Sequence, residues 1–219
     1  LMNASNKGHL VACMALVALC TAFTATTSAD TPFGWRVGPT AWSFKEFTFF
    51  EAVDKTAALG MSCIEAFEGQ AVMPESDAKI TADLSDDLHA RIRAKLEEAK
   101  VTLTSVYIHD IPGDEAGCRR AFEFAKKLGA AIIVSEPAPE ALDMVEQCCN
   151  EYAISVAIHN HPEGSSRYWH PDEVMWVCEG RGPRIGACGD TGHWIRSGLS
   201  PVEMFRILGK RLLTVHLKD

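Results

Sequence analysis

The sequence predicts an α/β fold of the (β/α)8 type, a TIM barrel. Two patterns indicate this fold: apolar runs of strand length alternate with segments of helical period, and polar side chains gather where several strands end. No GxGxxG turn follows the first strand, which argues against a doubly wound dinucleotide-binding sheet. Barrels of this type usually have about 250 residues, whereas this chain has 219 and stops directly after the seventh predicted strand. We therefore expect a barrel that is truncated after strand seven.

Seven apolar runs bounded by turn residues carry the strand prediction. In chain order they are Val37–Trp42, Ser62–Phe67, Val101–Tyr107, Ala130–Val134, Ile154–Ile158, Ile185–Cys188 and Leu212–Leu217. Gly60 ends the first helix and Gly129 the third, while Asp86 and Asp87 favour the first turn of the second. The predicted helices are Phe47–Leu59, Ser85–Lys100, Asp114–Leu128, Pro139–Tyr152 and Pro171–Cys178, with one more between the last two strands. Each strand and its helix form one βα unit, so the strands should be parallel.

Residues 1–29 have the pattern of a signal peptide. A lone lysine precedes the apolar run His9 to Phe23, and small residues come before Asp30. The apolar run is too short for an ordinary membrane span, and no later segment is long and apolar enough to be one. We predict cleavage before Asp30 and a periplasmic or secreted barrel domain over 30–219. The alternative is an uncleaved anchor or a lipoprotein attached through Cys20.

The composition is that of a globular chain, with 47% hydrophobic and 23% charged residues. The formal net charge is −8, and lysines and arginines form no stripe along the sequence. A nucleic-acid partner therefore lacks its usual electrostatic footprint and is excluded. The oligomeric state does not follow from the sequence.

Six cysteines follow the predicted leader, and they show no CxxC spacing typical of a zinc site. Two of them fall inside apolar strands, and Cys148 and Cys149 are adjacent on a predicted helix. We interpret the six as small core residues rather than metal ligands. An exported protein can form disulfides, but the sequence does not select a pair.

Candidate ligands follow the last two predicted strands. Strand six is followed by Gly189-Asp190-Thr191-Gly192-His193, and strand seven carries His216 at its end. Carboxylate and imidazole groups on neighbouring parallel strands suit a divalent cation with open positions. In the alternative interpretation, Asp190 caps the loop with its carboxylate, and His193 and His216 are ordinary polar residues.

Three segments resemble the sugar phosphate isomerase/epimerase members of the xylose isomerase-like barrel superfamily. They are VAIHNHP, IGACGDTGHWIRSGLSP and LLTVHLKD, and the resemblance covers roughly residues 37–219. It implies a divalent metal, manganese, magnesium or cobalt, with Asp190 and His216 as ligands. The inosose dehydratase branch resembles this chain at Ser135-Glu136 and at the histidine-rich segment after strand five, which implies Glu136 as third ligand. A fourth ligand on strand eight would lie beyond Asp219.

The remaining polar candidates have chemical roles in this resemblance. The epimerase branch has a glutamate where this chain has His159, so His159 and His161 are candidates for acid and base near neutral pH, or for metal ligands. Hydrogen-bonded loop stabilisers are their alternative role. The position of His193, three residues after a ligand, suits contact with a substrate oxygen. Lys218 is placed to neutralise an enediolate, unless it pairs with Asp219.

Aromatic residues near the strand ends suit a carbohydrate ligand. Trp42 ends strand one, and Tyr168 and Trp169 lie in the insertion after strand five. Their flat faces can stack on the CH faces of sugar rings. The alternative is that these three side chains are packing at the barrel mouth.

The expected function is a divalent-metal-dependent sugar isomerase or epimerase that acts through an enediolate. The first alternative is a lyase or dehydratase acting on a keto-cyclitol or 3-keto sugar through the same enolate. The second is a secreted sugar-binding domain without catalysis. An endonuclease for abasic DNA shares the barrel, but its basic groove is not matched in this sequence.

Overall fold

Successive apolar runs pair side by side in one sheet. A computed structural model describes residues 34–218, and within them six parallel strands pair in chain order. The strands are β1 (Cys63–Phe67), β2 (Thr102–Tyr107), β3 (Ile132–Ser135), β4 (Ser155–His159), β5 (Ile185–Asp190) and β6 (Leu212–His216). Parallel strands are covered on both faces, which explains their almost continuous apolar sequences. The predicted fold class is confirmed, and β1 to β6 correspond to predicted strands two to seven.

Helices connect the strands and cover the outer face of the sheet. They are α1 (Phe49–Ala58), α2 (Asp86–Ala99), α3 (Glu115–Leu128), α4 (Leu142–Tyr152), α5 (Pro171–Val177), α6 (Thr191–Arg196) and α7 (Pro201–Leu208). Side-chain caps fix several starts: Thr48 and Glu51 form a capping box at α1, while Ser85 and Asp114 cap α2 and α3. The main hydrophobic core lies between these helices and the strands.

The sheet is curled, so that its two edge strands approach each other across the inner face. The clearest sign is that Glu65 on β1 and His216 on β6 lie 3.0 Å apart, although these strands are first and last in the sheet order. A second, smaller apolar cluster of Val134, Ala157 and Cys188 occupies the inner face. The curl therefore brings side chains from all parts of the sheet into one interior.

The first predicted strand, Val37–Trp42, is wrong as a regular strand. Its segment makes a single parallel bridge, from Thr40 to Glu65, and a 3-10 helix begins at Ala41. Pro39 has no N–H to extend a ladder, although its carbonyl accepts a hydrogen bond from the Glu65 N–H at 3.1 Å. The chain nevertheless runs very close to β1, since a Cβ added at Gly38 would lie 2.0 Å from the Cys63 carbonyl oxygen.

The segment after predicted strand six also differs from expectation. The sequence predicts a loop over Gly189–His193, but β5 continues through Asp190 and α6 begins at Thr191 without a loop. The reason is local: Asp190 Oδ1 accepts a hydrogen bond from the His193 N–H at 3.0 Å and so caps α6. Strand end and helix start thus meet at one carboxylate.

The predicted leader and its cleavage site lie outside the described residues. Over residues 34–218, no helix has the length and apolar character needed to cross a membrane. All six cysteines of this part of the chain are buried thiols, in agreement with their interpretation as core residues.

Candidate functional site

Five polar side chains meet inside the curled sheet near the carboxyl ends of its strands. Strand register brings them together: His159 pairs with Cys188 on β5, and Asp190 pairs with His216 on β6. Glu136 follows β3, and Glu65 reaches in from β1. Parallel barrels carry their functional residues at this end.

Asp190 is the centre of the cluster because each of its two carboxylate oxygens makes different contacts. Oδ1 caps α6, whereas Oδ2 lies 3.6 Å from His159 Nε2, 3.6 Å from His193 Nε2 and 3.9 Å from His216 Nδ1. The Lys218 Nζ lies 3.4 Å from the same oxygen. These distances are longer than those of good hydrogen bonds. Ligand atoms that each lie about 2.1 Å from one tetrahedral ion, however, would be about 3.4 Å apart. The predicted capping role and a ligand role for Asp190 are therefore compatible.

His159 stands between the two carboxylates that the sequence singled out. Its Nε2 faces Asp190, and its Nδ1 lies 3.7 Å from Glu136 Oε1. Three groups of donors close enough to share an ion occur in the described chain, and His159 belongs to each: with Cys188 and His216, with Glu136 and His161, and with Asp190 and His193. The structure thus brings Asp190 and His216 together, whereas Glu136 is separated from them by the His159 ring.

Glu136 has partners for both carboxylate oxygens. Its Oε1 lies 2.5 Å from His161 Nδ1, and its Oε2 accepts a 2.6 Å hydrogen bond from Ser166. Burial by itself would raise the pKa of Glu136, but interactions with His159, His161 and Ser166 hold that pKa well below its usual range. Glu136 is therefore a carboxylate that contacts His161 and Ser166 directly and lies close to His159.

Glu65 is a member of the cluster that the sequence prediction missed. It is 6% exposed, accepts a 2.7 Å hydrogen bond from Ser105 at Oε2, and places Oε1 3.0 Å from His216 Nε2. Burial opposes charge on His216, yet the negative groups beside it raise the pKa of His216 to about 11. Cys188 is the first of these groups and Glu65 the second, and burial raises the pKa of the Cys188 thiol itself. The sequence did contain one indication of this role, since Glu65 is the only charged residue in the apolar run Cys63–Phe67.

Several buried polar atoms of this cluster have no hydrogen-bond partner. They include Glu65 Oε1, His159 Nδ1 and His216 Nε2, so that the close approach of Glu65 and His216 lacks hydrogen-bond geometry. Unpaired buried polar atoms cost free energy and are uncommon in proteins. The mixture of carboxylate and imidazole donors also suits a divalent cation. These residues therefore fit a metal.

Hydrogen bonds from neighbouring residues fix the orientation of the cluster. The Asn160 amide donates to the Asp190 carbonyl at 3.1 Å and accepts from the Asp190 N–H at 2.7 Å, which extends the ladder between β4 and β5. The Thr191 hydroxyl accepts from the Lys218 N–H at 2.9 Å. Arg196 donates to His193 Nδ1 at 2.9 Å, so a neutral His193 carries its proton on Nε2. Burial lowers the pKa of His193 to about 4.

The three aromatic candidates have different surroundings. Trp42 is 54% exposed, packs edge-on against Phe67 at 5.1 Å, and lines a groove of about 390 Å³. Trp169 is half-buried and lines a second groove of about 510 Å³ after β4. Tyr168 is only 2% exposed and donates its hydroxyl to the Pro137 carbonyl at 2.6 Å. The stacking role expected for Tyr168 is therefore corrected to packing, because its ring is in the core.

Together, the parallel strands and this polar cluster define a barrel protein with a site at the strand ends. The sequence model of the family Xylose isomerase-like TIM barrel matches residues 53–219, and the chain belongs to that family. A search of curated proteins found no match.

Solved structures show the same fold. An uncharacterised protein from Parabacteroides distasonis is 34% identical, with a TM-score of 0.73, and the match covers 84% of this chain and 75% of that one. A sugar phosphate isomerase/epimerase from the same organism is 13% identical, with a TM-score of 0.63 and coverage of 88% and 79%. The 3-keto-D-glucoside 4-epimerase YcjR from E. coli is also 13% identical, with a TM-score of 0.62 and coverage of 84% and 79%.

Proposed function

We propose that this chain is a carbohydrate isomerase or epimerase that depends on a divalent metal and acts through an enediolate. The observation that carries the proposal is the buried cluster of imidazoles and carboxylates inside the curled sheet, where three groups of donor atoms are close enough to share an ion. Family membership and the activities named for two structural neighbours, a sugar phosphate isomerase/epimerase and a 3-keto-D-glucoside 4-epimerase, support a carbohydrate substrate. The candidate cations are manganese, magnesium and cobalt; two imidazoles among the ligands favour manganese or cobalt over magnesium, which prefers oxygen ligands.

The proposal assigns Asp190, His159 and His216 to the metal. Asp190 and His159 belong to one of the three donor groups described above, and His159 and His216 belong to another. His159 Nε2 and His216 Nδ1 both face Asp190 Oδ2, while the second nitrogen of each ring faces a glutamate, Glu136 or Glu65. Metal-binding histidines in proteins commonly direct their other nitrogen to a carboxylate in this way. Glu136, the third ligand expected from the sequence, then acts by orienting His159. A bound cation would supply Lewis acidity toward a sugar carbonyl.

The chain's own residues supply the proton chemistry. His161 is the most exposed histidine of the cluster, and Glu136, 2.5 Å from its Nδ1, leaves the other ring nitrogen available for proton transfer. We assign His161 as the group that removes the proton beside the carbonyl. His193 presents Nε2–H as a donor to a substrate oxygen, because Arg196 occupies its Nδ1. Lys218, partly exposed beside Asp190, balances the negative charge that develops on the substrate.

A lyase reaction on the same site is the second candidate. The ring centroids of His161 and His193 are 4.7 Å apart, so one imidazole can remove a carbon-bound proton while the other protonates a departing hydroxyl. Both reactions share the first step and differ in the product. Exposed Trp42 and half-buried Trp169 are the proposed sugar-stacking residues.

Solvent-exchange measurements test the proposal. The protein with added Mn²⁺ is incubated with keto sugars in deuterated water, and NMR follows deuterium incorporation, epimer formation and alkene formation. We expect exchange in the wild type and a loss of about 10²–10⁴-fold in His161→Gln, the usual value of a positioned acid or base. A matched control is His109→Gln, because His109 is exposed outside the cluster. If His161→Gln and the control exchange at the same rate, His161 is not the base.

A further inference from the structure

We propose that Cys118 and Cys148 form a disulfide that joins α3 to α4. Their sulfur atoms lie 3.4 Å apart, and both side chains are buried. A disulfide bond is about 2.05 Å long, so the two sulfurs need to approach by about 1.4 Å in total. Small rotations of the two side chains can provide that movement. The proposal is independent of the reaction proposed above, because the pair lies on the helical layer and not at the strand ends.

The two helices are already held in register around this pair. Arg119, next to Cys118, forms a 2.6 Å ion pair with Glu151 on α4. The rings of Phe122 and Tyr152 pack with their centroids 5.7 Å apart on the same seam. Neighbouring contacts therefore keep the sulfurs facing each other, which is the geometric condition for a disulfide.

The remaining cysteines point elsewhere, which selects this pair among the six. Cys149, adjacent to Cys148, turns its sulfur toward the Val156 backbone on β4. Cys178 contacts the Ile185 carbonyl at 3.7 Å, and Cys188 lies on the inner face of the sheet. Cys63 lies on β1 with its sulfur beside Gly38. Successive helical residues project about 100° apart, so Cys148 and Cys149 cannot both face α3.

The bond forms by thiol–disulfide exchange with a disulfide oxidant, for which oxidised glutathione is the simplest example. One thiolate attacks the glutathione disulfide and releases one glutathione thiolate; the second cysteine then attacks the mixed disulfide and releases the other. The two cysteines lose two protons and two electrons, and one oxidised glutathione becomes two reduced molecules. Burial raises the pKa of the Cys118 thiol, so the exchange is fastest before α3 and α4 are fully packed.

Peptide mapping tests the proposal. The full chain is folded in a buffer of oxidised and reduced glutathione, alkylated, and digested with trypsin without reduction. Cleavage after lysine and arginine gives peptides 101–119 and 128–167, which contain Cys118 and Cys148 respectively. We expect these peptides to be linked, with a mass lower by two hydrogens than their sum, and fragmentation to identify Cys148 as the linked residue. Alkylation of both Cys118 and Cys148 in the wild-type protein would overturn the proposal.

A matched pair of variants adds a second readout. Cys148→Ser should abolish the link, whereas Cys149→Ser should keep it. Reductant should lower the melting temperature of the wild type and Cys149→Ser by about 5–15 °C, the range expected for a disulfide closing a loop of this length. If Cys148→Ser does not fold, wild-type mapping alone still decides the pairing. A link from Cys118 to Cys149 would refute the assignment.

Discussion

Replacing Glu136 by glutamine separates the two interpretations of this carboxylate. The side chain keeps its shape but loses its charge, and it loses the acceptor strength that His161 and Ser166 use at 2.5 and 2.6 Å. If Glu136 orients His159 and His161, metal affinity should fall by about 10–100-fold, the usual effect of removing a carboxylate behind a ligating histidine. That change is about 1.4–2.7 kcal/mol of binding free energy. If Glu136 is itself a ligand, as the sequence suggested, the loss should be much larger.

The assay is calorimetric titration of the metal-free protein with Mn²⁺ at one fixed pH. Asp190→Asn and His159→Ala serve as references for the loss of a ligand, and Asp190→Asn should lose bound metal and activity together. Ser166→Ala is the matched control, because it removes one hydrogen bond to Glu136 and leaves the charge in place. Binding by Glu136→Gln that is as weak as binding by Asp190→Asn would refute the orienting role. Unchanged metal content in Asp190→Asn would refute the whole ligand set.

Three further predictions concern pH, stability and processing. In the metal-free protein Cys188 and Glu65 raise the pKa of His216 from 6.5 to about 11, so the charged imidazole stabilises the fold fully below pH 6.5, and this contribution is lost as pH rises toward 11. The melting temperature should fall over that pH window in the wild type but not in His216→Gln. Mn²⁺ should also bind more tightly as pH rises, because the imidazole must lose its proton to bind the metal. A pH-independent affinity would contradict the assignment of His216 as a metal ligand. Arg211 donates hydrogen bonds to the carbonyls of four residues in or next to the connection from α5 to β5. Arg211→Ala should therefore lower the free energy of unfolding, measured with urea, by about 3–5 kcal/mol. A decrease below about 1 kcal/mol would show that water replaces these bonds. N-terminal sequencing of the mature protein should start near Asp30, and recovery of an intact leader from the cytosol would contradict export.

The sequence predicted the parts of the site that depend on parallel-strand geometry. When consecutive strands are parallel, their carboxyl ends lie at one edge, so Asp190 and His216 had to be neighbours once their strands were recognised. The same reasoning placed His159 beside them. Strand and helix existence was also predictable, because apolar period and cap residues are local properties.

Other features depend on contacts that no local pattern contains. The burial of Tyr168 follows from its hydrogen bond to the Pro137 carbonyl, which lies far from it in sequence. The sequence also could not show that Asp190 both caps a helix and faces three imidazoles, because each of its oxygens has a different neighbour. The strand predicted at Val37–Trp42 failed for a smaller reason, the missing donor at Pro39.

Glu65 is the clearest example of a cluster member whose contact the sequence could not predict. A carboxylate within a buried strand requires a partner, and the sequence offers several cations and imidazoles for that purpose. Its actual neighbour, His216, lies on the strand at the opposite edge of the sheet, so the pair exists only because the sheet curls. The curl in turn results from the twist that six parallel strands accumulate under their covering helices. The shape of the whole sheet therefore brings Glu65 to His216, which explains why the proximity of Asp190 and His216 on adjacent strands was predicted and the contact between edge strands was missed.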